Sequence, residues 1–164
     1  MKRRFIKGKE AKKLLTEFLE SSKIRLRELD TPKTRIEIAS SKQDEIFLID
    51  GKPFFARSDD SLIPVLSSKQ VLSRMPKAIV NMGAVPYLCN GADVMAPGIV
   101  SFEGVFDKGD YIVILDELHK TPITIAKALF NKEEAKKLEH GKVFKNVHYV
   151  GDQLWKKLKK LSSA

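Results

Sequence analysis

The chain has 164 residues, 43% of them hydrophobic and 31% charged, enough to bury a core in one domain or in two small lobes. Its one cysteine, Cys89, has no partner for an internal disulfide and no His/Cys cluster at zinc-site spacing around it, which excludes a disulfide-stapled module and a zinc finger. The formal charge of +9 is gathered at the two ends: residues 1–13 hold seven Lys/Arg against one Glu, residues 153–164 hold four Lys and no acid, and the stretch between is close to neutral.

A localised basic surface attracts phosphate, because each neutralised phosphate releases a counterion. Lys2, Arg3, Arg4 and Lys7 are therefore read as phosphate contacts, against the alternative that they belong to a solvated tail. The N-terminus MKRRFIKGKEAKK lacks the apolar stretch of a signal peptide, and no apolar run is long enough to span a membrane. A cytoplasmic protein without a membrane partner is the expectation. Ala11, Leu14, Leu15, Phe18 and Leu19 recur at helical spacing and predict an amphipathic helix over residues 9–22. Lys9, Lys12 and Lys13 stand at its start, where the helix dipole disfavours them, so a partner supplying negative charge accounts for them better. The helix could lie on a membrane instead, but the lobe needs its apolar face.

Short strands follow. Ile36 and Ile38 alternate with Arg35 and Glu37, and Ile46 to Ile49 meets Pro53 to Ala56 across Asp50-Gly51, a strong hairpin signal. A short helix over Ser67 to Met75 leads to Pro76, and the boundary is placed near Arg74 to Lys77. The expected organisation is an α/β lobe over residues 1–74 and a second domain over residues 75–164. Beyond Pro76, strands at Ala78 to Val80, Val94-Met95, Tyr111 to Leu115, Ile123 to Leu129 and Val147 to Tyr149 suggest a small barrel or sandwich. Helices interrupt it at residues 84–89 and 132–138, the latter capped by Asn131 with Glu133 and Glu134 in its first turn. Trp155 is expected to anchor the last strand, and Lys156, Lys157, Lys159 and Lys160 to form either phosphate contacts or a solvated tail.

The most distinctive stretch runs from Val80 to Gly98, VNMGAVPYLCNGADVMAPG. Gly83 is expected to end a strand and start a short helix, Gly91-Ala92 to close it, and Pro97-Gly98 to turn the chain sharply. Small residues at both helix ends leave backbone amides within reach of a sugar-phosphate backbone. Pro86 is tolerable in the helix's first turn. Gly83-Ala84, Asn90-Gly91-Ala92-Asp93, Val94-Met95 and Pro97-Gly98 together resemble the signature of the PUA domain, an RNA-binding pseudobarrel. The family often has an acid where this chain has Asn81.

The segment Asn146 to Trp155 resembles the closing stretch of the malignant T-cell amplified sequence proteins, which join a pre-PUA lobe to a PUA domain. The resemblance implies an α+β protein, with an N-terminal α/β pre-PUA lobe and a C-terminal PUA β-pseudobarrel. It also implies RNA as ligand, tRNA or ribosomal RNA, with a link to the small ribosomal subunit and to translation initiation, re-initiation or recycling. A density-regulated-type protein partner is known in that family. The family's RNA face falls here on Gly83, Ala84, Val85, Tyr87, Asn90, Gly91, Ala92, Asp93, Pro97 and Gly98.

Catalytic chemistry finds little support. His119, His140 and His148 are scattered, Asp59-Asp60 and Asp116-Glu117 are adjacent pairs whose side chains diverge or are solvated, and Cys89 is read as packing. No enzyme, metal or cofactor is expected. Tyr87 is open to two readings, packing, which comes first, and stacking on a base. Two other functions stay in view: an accessory subunit that targets tRNA to a modifying enzyme, and a protein-interaction module with solubilising basic ends.

Overall fold

The structure, a computed structural model, describes residues 1–25 and 35–162. It divides into two compact units, Met1–Arg74 and Met75–Ala164.

The first unit runs β1 (Lys2–Ile6), α1 (Gly8–Ser22), β2 (Ile36–Ser40), β3 (Asp44–Ile49), β4 (Lys52–Ser58), β5 (Ser61–Pro64) and α2 (Lys69–Leu72). Its five strands form an antiparallel meander in sequence order. The β3–β4 turn is the one the sequence predicts: Asp50 and Gly51 sit at φ 52° and 77°, as a two-residue hairpin of matching twist requires. Asp59 and Asp60 turn β4 into β5 with φ 49° and 63°, so this carboxylate pair serves a turn. Helix α1 buries Ala11, Leu14 and Phe18, and the Phe18 ring stacks on Phe55 of β4 at 4.2 Å. The helix ends where Lys23 turns left-handed and donates its N–H to the Leu19 carbonyl at 2.7 Å.

The N-terminal residues are not a loose tail. β1 pairs with β2 along its length, Arg3 is ion-paired with Glu37 at 2.6 Å, and Arg4 reaches Glu10 at 3.4 Å. β1 escapes a reading by alternation because Ile6 is its one buried residue.

The second unit runs β6 (Lys77–Val80), α3 (Val85–Leu88), β7 (Val94–Met95), β8 (Ile99–Glu103), β9 (Tyr111–Asp116), β10 (Pro122–Ala128), α4 (Lys132–Lys137), β11 (Lys142–Tyr149) and α5 (Gln153–Ser162). The six-stranded sheet has the order β7-β11-β10-β9-β6-β8, antiparallel except for the parallel β6–β9 pair. Register shifts at Ile79/Val80, Ile125/Ala126 and Lys142/Phe144 help it curl into a half-barrel. Inside lie Val80, Leu88, Val94, Ile112, Ile114 and Phe144. Asn131 caps α4 as expected, its Oδ1 accepting from the Glu134 N–H at 2.9 Å.

The C-terminus departs from the expectation. The lysines stand on a helix, α5, held by buried Leu154 and Leu158, and Trp155 lies half-buried within it with the Lys159 ammonium 5.0 Å from its ring centre. The two leucines are one turn apart, so they, and not Trp155 on a strand, face the unit.

Candidate nucleic-acid interface

β6 is followed by Asn81, whose N–H donates to the Gly98 carbonyl at 2.9 Å. Its side-chain oxygen accepts from the Ala84 N–H at 3.0 Å, capping the 3-10 turn Met82–Ala84 that leads into α3. A neutral carboxamide thus meets the capping need that an acid could also meet at this position. Gly83, expected to end the strand, lies inside that turn instead. Two amides at the helix start are already engaged: Ala84 N–H by Asn81, and Met82 N–H by the Glu117 carboxylate at 3.4 Å.

Helix α3 is one turn long, and this decides which side chains face out. Leu88 sits in the core with Ala84 and Val85, four and three residues back, packed half-buried against it. Tyr87 falls off that face and is 69% exposed, so the packing reading is corrected. Pro86, Tyr87, Cys89, Asn90, Gly91 and Ala92 line a shallow open groove. Gly91 ends the helical segment at φ 94°, and a Cβ there would lie 3.4 Å from the Tyr149 ring. That approach brings half-buried Tyr149 of β11 to the groove's border.

Asp93 is a brace. Its Oδ1 accepts from the Asn146 N–H at 2.9 Å, and its Oδ2 pairs with the Lys142 ammonium at 3.1 Å. Asn146 in turn donates Nδ2 to the carbonyls of Leu88 at 3.1 Å and Ala92 at 2.9 Å, fixing the exit of α3 onto β11. Gly98 is half-buried, and a Cβ there would stand 3.3 Å from that of Ala84, so glycine lets the two turns close. Pro97 is exposed. Of the expected residues, Tyr87, Asn90, Gly91 and Ala92 come together at one groove, while Ala84, Val85 and Asp93 support it from behind. Tyr149 and Asn146 were not among the candidates, because nothing local marks a strand residue as the neighbour of a glycine far back in the chain.

The basic candidates divide between the units. Lys156 and half-buried Lys157 stand on α5, and Lys2, Arg3, Arg4 and Lys7 are exposed around β1 and the start of α1. Two groups weighed as candidates for catalysis, Asp116 and Cys89, are committed to structure. Asp116 accepts the N–H groups of His119 at 2.6 Å and Thr121 at 3.0 Å, which hold its carboxyl below the usual range. Burial pushes the Cys89 thiol up, away from the thiolate a nucleophile needs. Among the described residues, no three His, Cys, Asp or Glu gather as a metal site, and no helix is long and apolar enough to cross a membrane.

Residues 76–150 match the PUA domain family, and residues 2–68 match a domain of unknown function, DUF1947. The chain is similar to an uncharacterized protein of Methanocaldococcus jannaschii, 41% identical over 157 residues that cover 94% of this chain and 95% of that one. It is similar to translation machinery-associated protein 20 of Schizosaccharomyces pombe, 31% identical over 124 residues, 70% of this chain and 67% of the relative. A solved PUA domain structure from Aeropyrum pernix K1 aligns with a TM-score of 0.82 and 27% identity, covering 98% of this chain and 92% of that one. With the Gly83 to Gly98 signature folded as a capped turn and a short helix on a half-barrel, and a matching region on either side of residue 74, the chain belongs to the PUA-domain family, joins a DUF1947 region to its PUA domain, and is a relative of translation machinery-associated protein 20.

Proposed function

We propose that the protein is a non-enzymatic RNA-binding protein of the translation apparatus that holds structured RNA on the face built by residues 82–98. The observation that carries this is Tyr87, an aromatic ring left in solvent beside the exposed residues Asn90, Gly91 and Ala92. An unstacked base can lie on such a ring, and side chains as small as those of Gly91 and Ala92 let a sugar-phosphate backbone come close. Lys156 and Lys157 supply positive charge in the same unit, which positions the RNA without reading its sequence. Membership in the PUA family supports RNA as the ligand, and the similarity to translation machinery-associated protein 20 supports the process. The RNA is then initiator tRNA or the ribosomal RNA of the small subunit, in the cytoplasm, during initiation, re-initiation or recycling. A density-regulated-type protein is the partner class to seek.

The test is binding of wild type and Tyr87→Ala to initiator tRNA, isolated small ribosomal subunits and an unrelated RNA duplex across a salt series. Loss of one stacked base weakens binding by about 1–3 kcal/mol, and the loss should persist at moderate salt. Unchanged affinity in the folded variant removes α3 from the RNA face. Equal, salt-erased binding of wild type to all three RNAs removes recognition altogether. Gly91→Glu is a poorer probe, because any side chain at φ 94° is strained and this one starts against the Tyr149 ring.

A further inference from the structure

We propose that the first two turns of α1, together with the end of β1, form a second RNA-contacting surface, one that grips the phosphate backbone and reads no base. The proposal rests on RNA being the ligand and places a contact on the unit that the α3 groove does not belong to.

Lys9, Lys12 and Lys13 are spaced as one face of a helix, and all three are exposed on the side away from buried Ala11, Leu14 and Phe18. Arg4 joins them, because its contact with Glu10 at 3.4 Å sets it beside the first turn, and exposed Lys7 precedes the helix in extended backbone. Glu10 is the first turn's acid. Further along, the Glu17 carboxylate is held by Arg57 at 2.9 and 3.1 Å, and this pairing draws its pKa below the usual range. The acids of α1 therefore leave a cationic surplus around its start.

That surplus opposes the helix it stands on. Cations near a helix N-terminus repel its dipole and one another, and the last turn of α1, where they would help, has no basic residue. A bound polyanion removes both penalties. Lys9, Lys12, Lys13 and Thr16, with Glu17 and Glu20 toward the far end of the helix, border a shallow hollow along it that offers no apolar anchor, so the cationic part lies over the first two turns. Protein interfaces are depleted of lysine at their centres and rely on buried aromatic or arginine anchors, so the chemistry here fits phosphate oxygens better. The rival occupant is a second copy of this chain: an antiparallel α1 would set Lys9 against Glu20 and Lys12 against Glu17.

The test uses the full chain carrying Lys9→Gln, Lys12→Gln and Lys13→Gln, with the corresponding triple Lys→Arg variant as a charge-keeping control. Glutamine is a good helix former, and circular dichroism confirms the fold. Binding to bulk transfer RNA and to a short RNA duplex is measured across a salt series, with Tyr87→Ala alongside. The expected result is a shallower slope of log affinity against log salt, by about 2 to 3 for three lost phosphate contacts, on both RNAs alike and with the arginine control unchanged. A glutamine variant with the wild-type slope overturns the proposal. If Tyr87→Ala weakens binding in that same experiment, the RNA reading survives and this surface alone is withdrawn. If wild type holds neither RNA, both readings fall. Salt-sensitive self-association of wild type, lost in the glutamine variant while the RNA slope stays the same, assigns the surface to a second copy instead.

Discussion

Asp152 joins β11 to α5 through one carboxylate. Its Oδ2 receives Nδ1 of His148 and the N–H of Tyr149, both at 2.9 Å, and its Oδ1 receives the N–H of Trp155 at 2.7 Å. A carboxylate only accepts, so Nδ1 of the fully buried His148 donates. Burial works against the charged carboxylate, but the hydrogen bonds from His148 and the backbone outweigh it and hold the Asp152 pKa below the ordinary 3.8. A folded-state pKa lowered in this way gives stability that is whole above the unfolded value and is lost as pH falls through the folded one. The melting temperature should therefore drop on acidification below about pH 4, and less so in Asp152→Asn. At neutral pH that variant turns an amide nitrogen toward donors and should cost about 1–3 kcal/mol in denaturant unfolding. Asn81 shows what a sequence reading can miss at one position: it departs from the family's usual acid, and only the structure shows that its side chain makes the cap.

Helix α1 and the β3–β4 hairpin were legible because their signals are local. A 3.6-residue apolar period and an Asp-Gly turn act within a few residues of themselves, and both appear where expected. β5, β8 and α5 were not. β8 carries no buried residue, and α5 has Leu154 and Leu158 diluted by lysines, so its apolar stripe is too weak to announce a helix. The stack of Phe18 on Phe55 and of Phe55 on Phe47 fastens α1 to its sheet. Phe18→Ala should cost the first unit about 3–5 kcal/mol, read as a lower denaturant midpoint with an unchanged slope, because it empties a site that cannot collapse. Little effect from that change would mean that α1 is held by something other than this stack.

Each unit of the molecule has its own sheet and its own buried core. Residues 75–164 expressed alone should accordingly unfold in one cooperative transition by calorimetry, and they should keep the dependence of RNA binding on Tyr87. A fragment that melts without a transition would show that the second unit needs the first. Charge is also a property of the whole chain, since the +9 surplus lies at both ends of the sequence and therefore in both units. RNA binding by the intact protein should be correspondingly salt-sensitive.

By itself the sequence determined the α+β character, the apolar face of α1, the hairpin at Asp50-Gly51 and, through the spacing of its glycines and prolines, the PUA signature. All of these depend on neighbours close in the chain. Tertiary structure alone decided that Tyr87 faces solvent, that Asp93 is spent on Asn146, and that Gly91 lies against Tyr149. The last two depend on partners dozens of residues away, brought near by the pairing of β7 with β11, and no local pattern encodes such a meeting.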